Sequence, residues 1–158
     1  MNFGELLNNI YRDLPNILSP YLVAAFLGYF IAQLGKIVTY LIKYKEFNWR
    51  EFFRSGGMPS SHSATVMALA TTISVKQGFG SPIFAIALIF AVIVIYDATH
   101  VRRATGEQGI VINELISNDN KAKIKKPYFS RGHKPLEAIV GSILGVIIGI
   151  VIVIIYNV

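Results

Sequence analysis

The chain has 158 residues, a net charge of +6 and no cysteine; 53% of it is hydrophobic and its mean hydropathy is +0.51. That is too apolar for an ordinary soluble domain, and several runs approach bilayer length, so we expect one membrane-embedded domain over residues 1–158. The missing cysteines exclude disulfides and cysteine-ligated metals, and the positive charge marks basic loops held on one side of a membrane rather than nucleic-acid binding.

Residues 1–15 carry Phe3, Leu6, Leu7, Ile10 and Leu14 at helical spacing among polar residues, which predicts an amphipathic segment lying at the interface. Met1 to Asp13 lack the basic start and cleavage site of a secretory signal. A first span is predicted from about Tyr21 to Ile42, long enough for a hydrocarbon core of about 30 Å. Gln33, Lys36 and Thr39 fall near one face of it. A lysine inside a span costs some ~2.5–3.5 kcal/mol at the centre, so Lys36 either snorkels to the interface or faces a substrate. A polar connection follows, with Phe47, Trp49, Phe52 and Phe53 suited to the interface.

Gly56-Gly57-Met58-Pro59-Ser60-Ser61-His62-Ser63-Ala64 then breaks regular structure between two apolar runs. Two serines and a histidine sit where a helix begins, and the N–H groups of a helix start are a seat for phosphate. His62 adds a proton carrier for near-neutral pH. The second span, from about Ser63 to Gly78, is rich in Ala, Ser and Thr and reads as the buried central helix. The third runs from about Ile83 to Tyr96, with Asp97 to Arg103 extending it into polar surroundings. Residues 104–135 read as the main soluble excursion, with an amphipathic stretch from Ile110 to Ile116 and a solvated basic loop from Asn118 to Lys126. The fourth span, from about Leu136 to Tyr156, carries Gly141, Gly145 and Gly149 on one face. Such a face packs helices closely, either inside the monomer or in a homo-oligomer. The fold class expected is all-α: a membrane bundle of about four spans.

Alternating spans bring Lys36, the Pro-Ser-Ser-His turn, the Asp97–Arg103 cluster and Arg131-Gly132-His133 to one side. Nearly all of the 15 lysines and arginines fall there, with Arg12 and Lys76 on the other face, so the rule of positive loops makes that side cytoplasmic. Two histidines among cations suggest phosphoryl transfer. That chemistry needs a cationic cradle, a nucleophile and an acid for the leaving oxygen. His133 can attack as neutral imidazole, with Glu137 one helical turn on to hold its tautomer, and His62 can be the acid. Asp97 reads as a counter-ion to Arg102 or Arg103, and His100 as a surface histidine. No ligand spacing matches a familiar metal pattern, so neither metal nor cofactor is expected.

At these residues the sequence resembles the type 2 phosphatidic acid phosphatase superfamily, which includes vanadium-dependent haloperoxidases, and looks most like its small divergent bacterial branch. Pro59-Ser60-Ser61-His62 is similar to the superfamily's Pro-Ser-Gly-His motif, with Ser61 for glycine. His133-x3-Glu137 is similar to the end of Ser-Arg-x5-His-x3-Asp, with glutamate for aspartate and Pro127 in the arginine position. Lys36-x6-Lys43-Tyr44 is a partial match to Lys-x6-Arg-Pro. The resemblance implies His133 as nucleophile, Glu137 as its partner and His62 as acid. It implies Lys36, Ser60, Ser61, Arg102 and Arg103 as phosphate ligands, with no metal. The function expected is a lipid phosphate phosphatase of the cell membrane acting on a phosphatidylglycerophosphate- or phosphatidate-like monoester. An isoprenoid diphosphate as substrate, or anionic-lipid binding without turnover, is the alternative. The partners expected are membrane lipids.

Overall fold

The computed structural model describes residues 18–53, 56–118, 125–127, 129 and 131–156, with Asn2 and Gly4. The expected amphipathic segment over residues 1–15, apart from Asn2 and Gly4, and most of the basic loop lie outside the described residues. Among the described residues every regular element is helical.

Helix α1, Pro20–Tyr44, starts on a proline and ends where Lys45 turns left-handed and its N–H bonds the Leu41 carbonyl. A short 3-10 turn, Trp49–Phe53, follows. Helix α2 is Ser61–Gln77, capped by the Ser60 side chain, which accepts from the Ser63 N–H. Helix α3, Pro82–Tyr96, is capped in the same way by Ser81. It passes through a π-helical turn, Asp97–Val101, into helix α4, Arg102–Asn118. Helix α5, Pro135–Ile155, closes the bundle.

The structure departs from the sequence reading after Arg103. The expected excursion over 104–135 begins as a continuation of the same helix, and Pro82–Asn118 is one run of 37 residues. At about 1.5 Å per residue it far exceeds the hydrocarbon core, so α4 stands outside the membrane. Polar composition changed the helix's surroundings without stopping it.

Among the described residues, three helical runs are long and apolar enough to cross a membrane: α1, the α3–α4 run and α5. Helix α2 is the fourth member and lies at the centre, packed against α1, α3 and α5. Its neighbours come close because their facing residues are small. A Cβ at Gly141 of α5 would strike the Ser60 carbonyl, and one at Gly145 the Ala64 carbonyl. On the opposite flank, a Cβ at Gly28 of α1 would lie 2.8 Å from the same Ala64 oxygen. The glycine face of the last span is therefore used inside the chain. Hydroxyls within α2 are satisfied locally: Thr65, Thr72 and Ser74 donate to carbonyls of their own helix at 2.8, 2.9 and 2.8 Å.

Candidate active site

Four segments meet at one end of the bundle. The Ser60 N–H donates to the Glu137 carbonyl at 3.0 Å, joining the start of α2 to the start of α5. The His133 N–H donates to the Ala98 carbonyl at 2.9 Å, joining the segment before α5 to the π-helical turn. Thr39 of α1 donates to the Met58 carbonyl at 2.8 Å, tying down the turn before α2. Gly132 lies against the Arg103 backbone so closely that no Cβ fits. Gly56 takes φ +85°, where a side chain is strained, and packs on the Arg131 carbonyl.

These ties hold two imidazoles together. The His62 and His133 rings are 5.7 Å apart, edge to face. His133 is 2% exposed. Its Nδ1 is 3.1 Å from Glu137 Oε2, and the same oxygen accepts the Lys134 N–H at 3.1 Å. One carboxylate thus caps α5 and orients the imidazole. Nδ1–H donating to Glu137 leaves Nε2 as the ring's free lone pair. Burial pushes the His133 pKa below its ordinary 6.5, and the Lys36 charge acts in the same sense; the bond to Glu137 and the Gly57 backbone oppose it. The ring is therefore neutral at pH 7.

Lys36 is 4% exposed, so it does not snorkel out of the bundle. Its charge reaches both histidines. Arg102 and Asp97 also act on His62, and they are ion-paired with each other. Arg103 instead pairs with Glu107 at 3.0 Å, one turn along α4. Ser60 and Ser61 are buried, and the Ser60 hydroxyl is engaged by the Ser63 N–H and hydroxyl at 3.4 and 3.2 Å. The structure therefore brings Lys36, Arg102, Ser60, Ser61, His62, His133 and Glu137 to one place, with Arg103 turned to its own carboxylate. His100 stacks on Tyr96 at 4.4 Å and contacts Thr99. Among the described residues no three His, Asp or Glu side chains cluster as a metal site requires.

A model of the divergent PAP2 family matches residues 17–148, nearly the whole bundle. The chain belongs to the divergent PAP2 family. It is similar to the uncharacterized membrane protein YuiD of Bacillus subtilis strain 168, at 38% identity over 136 residues, covering 77% of this chain and 86% of the relative. No solved structure matches it. This member of the divergent PAP2 family is a membrane protein of phosphatase-like fold.

Beside its histidines lies a cavity of about 750 Å³, which the sequence reading did not anticipate. Lys36, Gly57 and Glu137, which act on His133, line it, and Lys43, Arg131 and Lys134 add charge. The one hint in the sequence was the recurrence of lysine seven residues after Lys36. The contributions of Arg131 and Lys134 depend on how the segment before α5 folds back, which no local pattern encodes.

Proposed function

We propose that this protein hydrolyses a lipid phosphate monoester in the cell membrane, with residues 1–158 acting as one catalytic unit. The observation that carries the reading is the pair of imidazoles 5.7 Å apart, one of them held by a carboxylate. His133 Nε2 attacks phosphorus, the P–O bond to the lipid breaks, and the departing oxygen takes a proton from His62. Water, giving its proton back to His62, then attacks the phosphohistidine. The P–N bond breaks and inorganic phosphate leaves. Lys36 and Arg102 stabilise the charge that builds on the equatorial oxygens, aided by N–H groups at the start of α2. The phosphoryl anion itself offsets those cations and favours the protonated form of His62. Substrates that fit are phosphatidylglycerophosphate- or phosphatidate-like lipids, with isoprenoid diphosphates as the alternative.

Pure protein in detergent, treated with chelator, should release phosphate from such lipids, and His133→Ala should lower turnover by on the order of 10³-fold or more. Inert wild-type protein on every lipid phosphate ends the enzyme reading; turnover that survives in His133→Ala ends only the phosphohistidine route. A second reading, anionic-lipid binding without turnover, is favoured by one feature: Arg102 and Arg103 each already pair with a carboxylate. Vanadate separates the two, because it mimics the pentacoordinate phosphorus of an enzyme's transition state and should block release.

We propose that the site faces the cytoplasm, a reading that the basic end of the bundle supports. Because the chain has no cysteine, Glu46→Cys introduces a single thiol in the connection beside the site. An impermeant thiol reagent should leave it unlabelled in intact cells and label it after lysis. Labelling in intact cells reverses the orientation.

A further inference from the structure

We propose that the cavity beside His133 is a second phosphate subsite, and that the substrate is a lipid carrying two phosphate groups close together. The proposal rests on the hydrolase reading and narrows it. One phosphoryl group is served by the histidines, Lys36 and Arg102. The cavity shares Lys36 with that site and is lined by Glu137 but by neither imidazole, and its volume of about 750 Å³ is that of a small-molecule site, far beyond the needs of one phosphate.

Its lining is also rich in cations. Lys36, Lys43, Arg131 and Lys134 line it against two carboxylates, Glu51 and Glu137. Glu137 is engaged by His133 and the Lys134 N–H, so it is drawn toward the imidazole. Lys36 is the hinge between the two regions, since it lines the cavity while its charge reaches both rings. Lys43, Arg131 and Lys134 line the cavity as well, and neither imidazole does. A phosphate there stays attached to the leaving group when the scissile P–O bond breaks. The inner phosphate of a diphosphate and the phosphodiester of a glycerophospholipid both meet this description; the two share the same anionic oxygens, and the cations recognise those.

The test uses matched pairs in detergent micelles: a prenyl diphosphate against the prenyl monophosphate, and phosphatidylglycerophosphate against phosphatidate with the same acyl chains. Wild-type protein should favour the two-phosphate member by about tenfold or more in kcat/KM, with the gain in KM. In the Lys43→Gln/Lys134→Gln double variant, which changes two exposed side chains, the preference should fall to about twofold or less. Preference in the prenyl pair alone identifies a diphosphate, and preference in the glycerolipid pair alone a phosphodiester. Equal rates within both pairs, or a preference that survives the double substitution, overturns the subsite. A binding arm keeps this apart from the hydrolase reading. Inorganic diphosphate should bind the wild type more tightly than inorganic phosphate does, and the double variant should lose that difference. If the difference is found while none of the four lipids is cleaved, the subsite stands and the hydrolase falls. If diphosphate binds no better than phosphate, the subsite falls whatever the turnover.

Discussion

Helices α2 and α3 are neighbours in sequence and opposites in composition. Helix α2 is small and hydroxyl-rich, and Ala64, Ala68 and Thr72 are fully enclosed. Helix α3 is almost wholly aliphatic and aromatic, yet Ile86 is 69% and Ile89 62% exposed. In water that arrangement would be inverted. In lipid it is the expected one, because hydrocarbon tails solvate isoleucine as well as another helix does. Close approach, not apolar burial, then holds the interior together, and small residues permit it. The polar helix is also the one whose first turn carries His62. Enclosure by α1, α3 and α5 lets α2 bring hydroxyls and an imidazole to the membrane surface without exposing them to lipid.

If chemistry belongs to the enclosed side, the largest effects of substitution should arise where α2 meets α5. Glu137→Gln keeps an oxygen that can accept the Lys134 N–H, so the cap persists and stability should fall by less than about 1 kcal/mol. The carboxylate that fixes the His133 tautomer is gone, and turnover should drop on the order of 10²- to 10⁴-fold. The pH profile supplies an independent sign. Attack requires neutral His133, whose pKa burial holds below 6.5, so wild-type rate should be lost on the acid side only below that pH. Removing Glu137 takes away an influence that raises this pKa. The acid limb of the residual activity should therefore move to lower pH. A limb that stays put or moves upward shows that His133 is not the titrating base.

The next effect bears on packing alone. In Gly145→Val the new side chain meets the Ala64 carbonyl and the Met67 side chain, with backbone on one side and no room to turn. Overpacking of this kind costs about 1–3 kcal/mol. Thermal unfolding in detergent should show the loss, and an unchanged midpoint would mean that α2 and α5 are farther apart than the structure has them.

Much of this was legible in the sequence because it depends on local pattern. Hydropathy gave the apolar spans, and the i, i+4 spacing of His133 and Glu137 survives because Pro135 starts the helix between them. The small residues of the second span announced a helix enclosed by others. What escaped depends on partners brought from elsewhere. Ser60 looked like an open phosphate ligand, but its hydroxyl caps α2 and its N–H bonds Glu137, which lies 77 positions away. Residues 104–135 read as a soluble excursion with only a short amphipathic stretch, because polar residues and two glycines interrupt the apolar pattern there. In the structure Gly109 makes room for the Phe129 ring, so it serves packing rather than ending the helix. The cationic cavity assembles from the end of α1 and the segment before α5 and has no signature of its own.

The smallest effect is the most direct test of which solvent surrounds α3. Ile89→Ala removes a large aliphatic side chain from the exposed face. In lipid the wild-type side chain contacts acyl tails in the folded bundle and in separated helices alike, so its loss should change stability by about 0.5 kcal/mol or less. Ile152→Ala removes the same atoms from a position 3% exposed, packed with Ala24, Ala68 and Ile148. There the cavity left behind has no tail to fill it, and the cost should be about 2–5 kcal/mol. Unfolding the two variants in bicelles therefore measures the difference between facing lipid and facing protein with chemistry held constant. Equal losses would mean that α3 is covered by another protein surface, and α2 would no longer be the only enclosed helix of the pair.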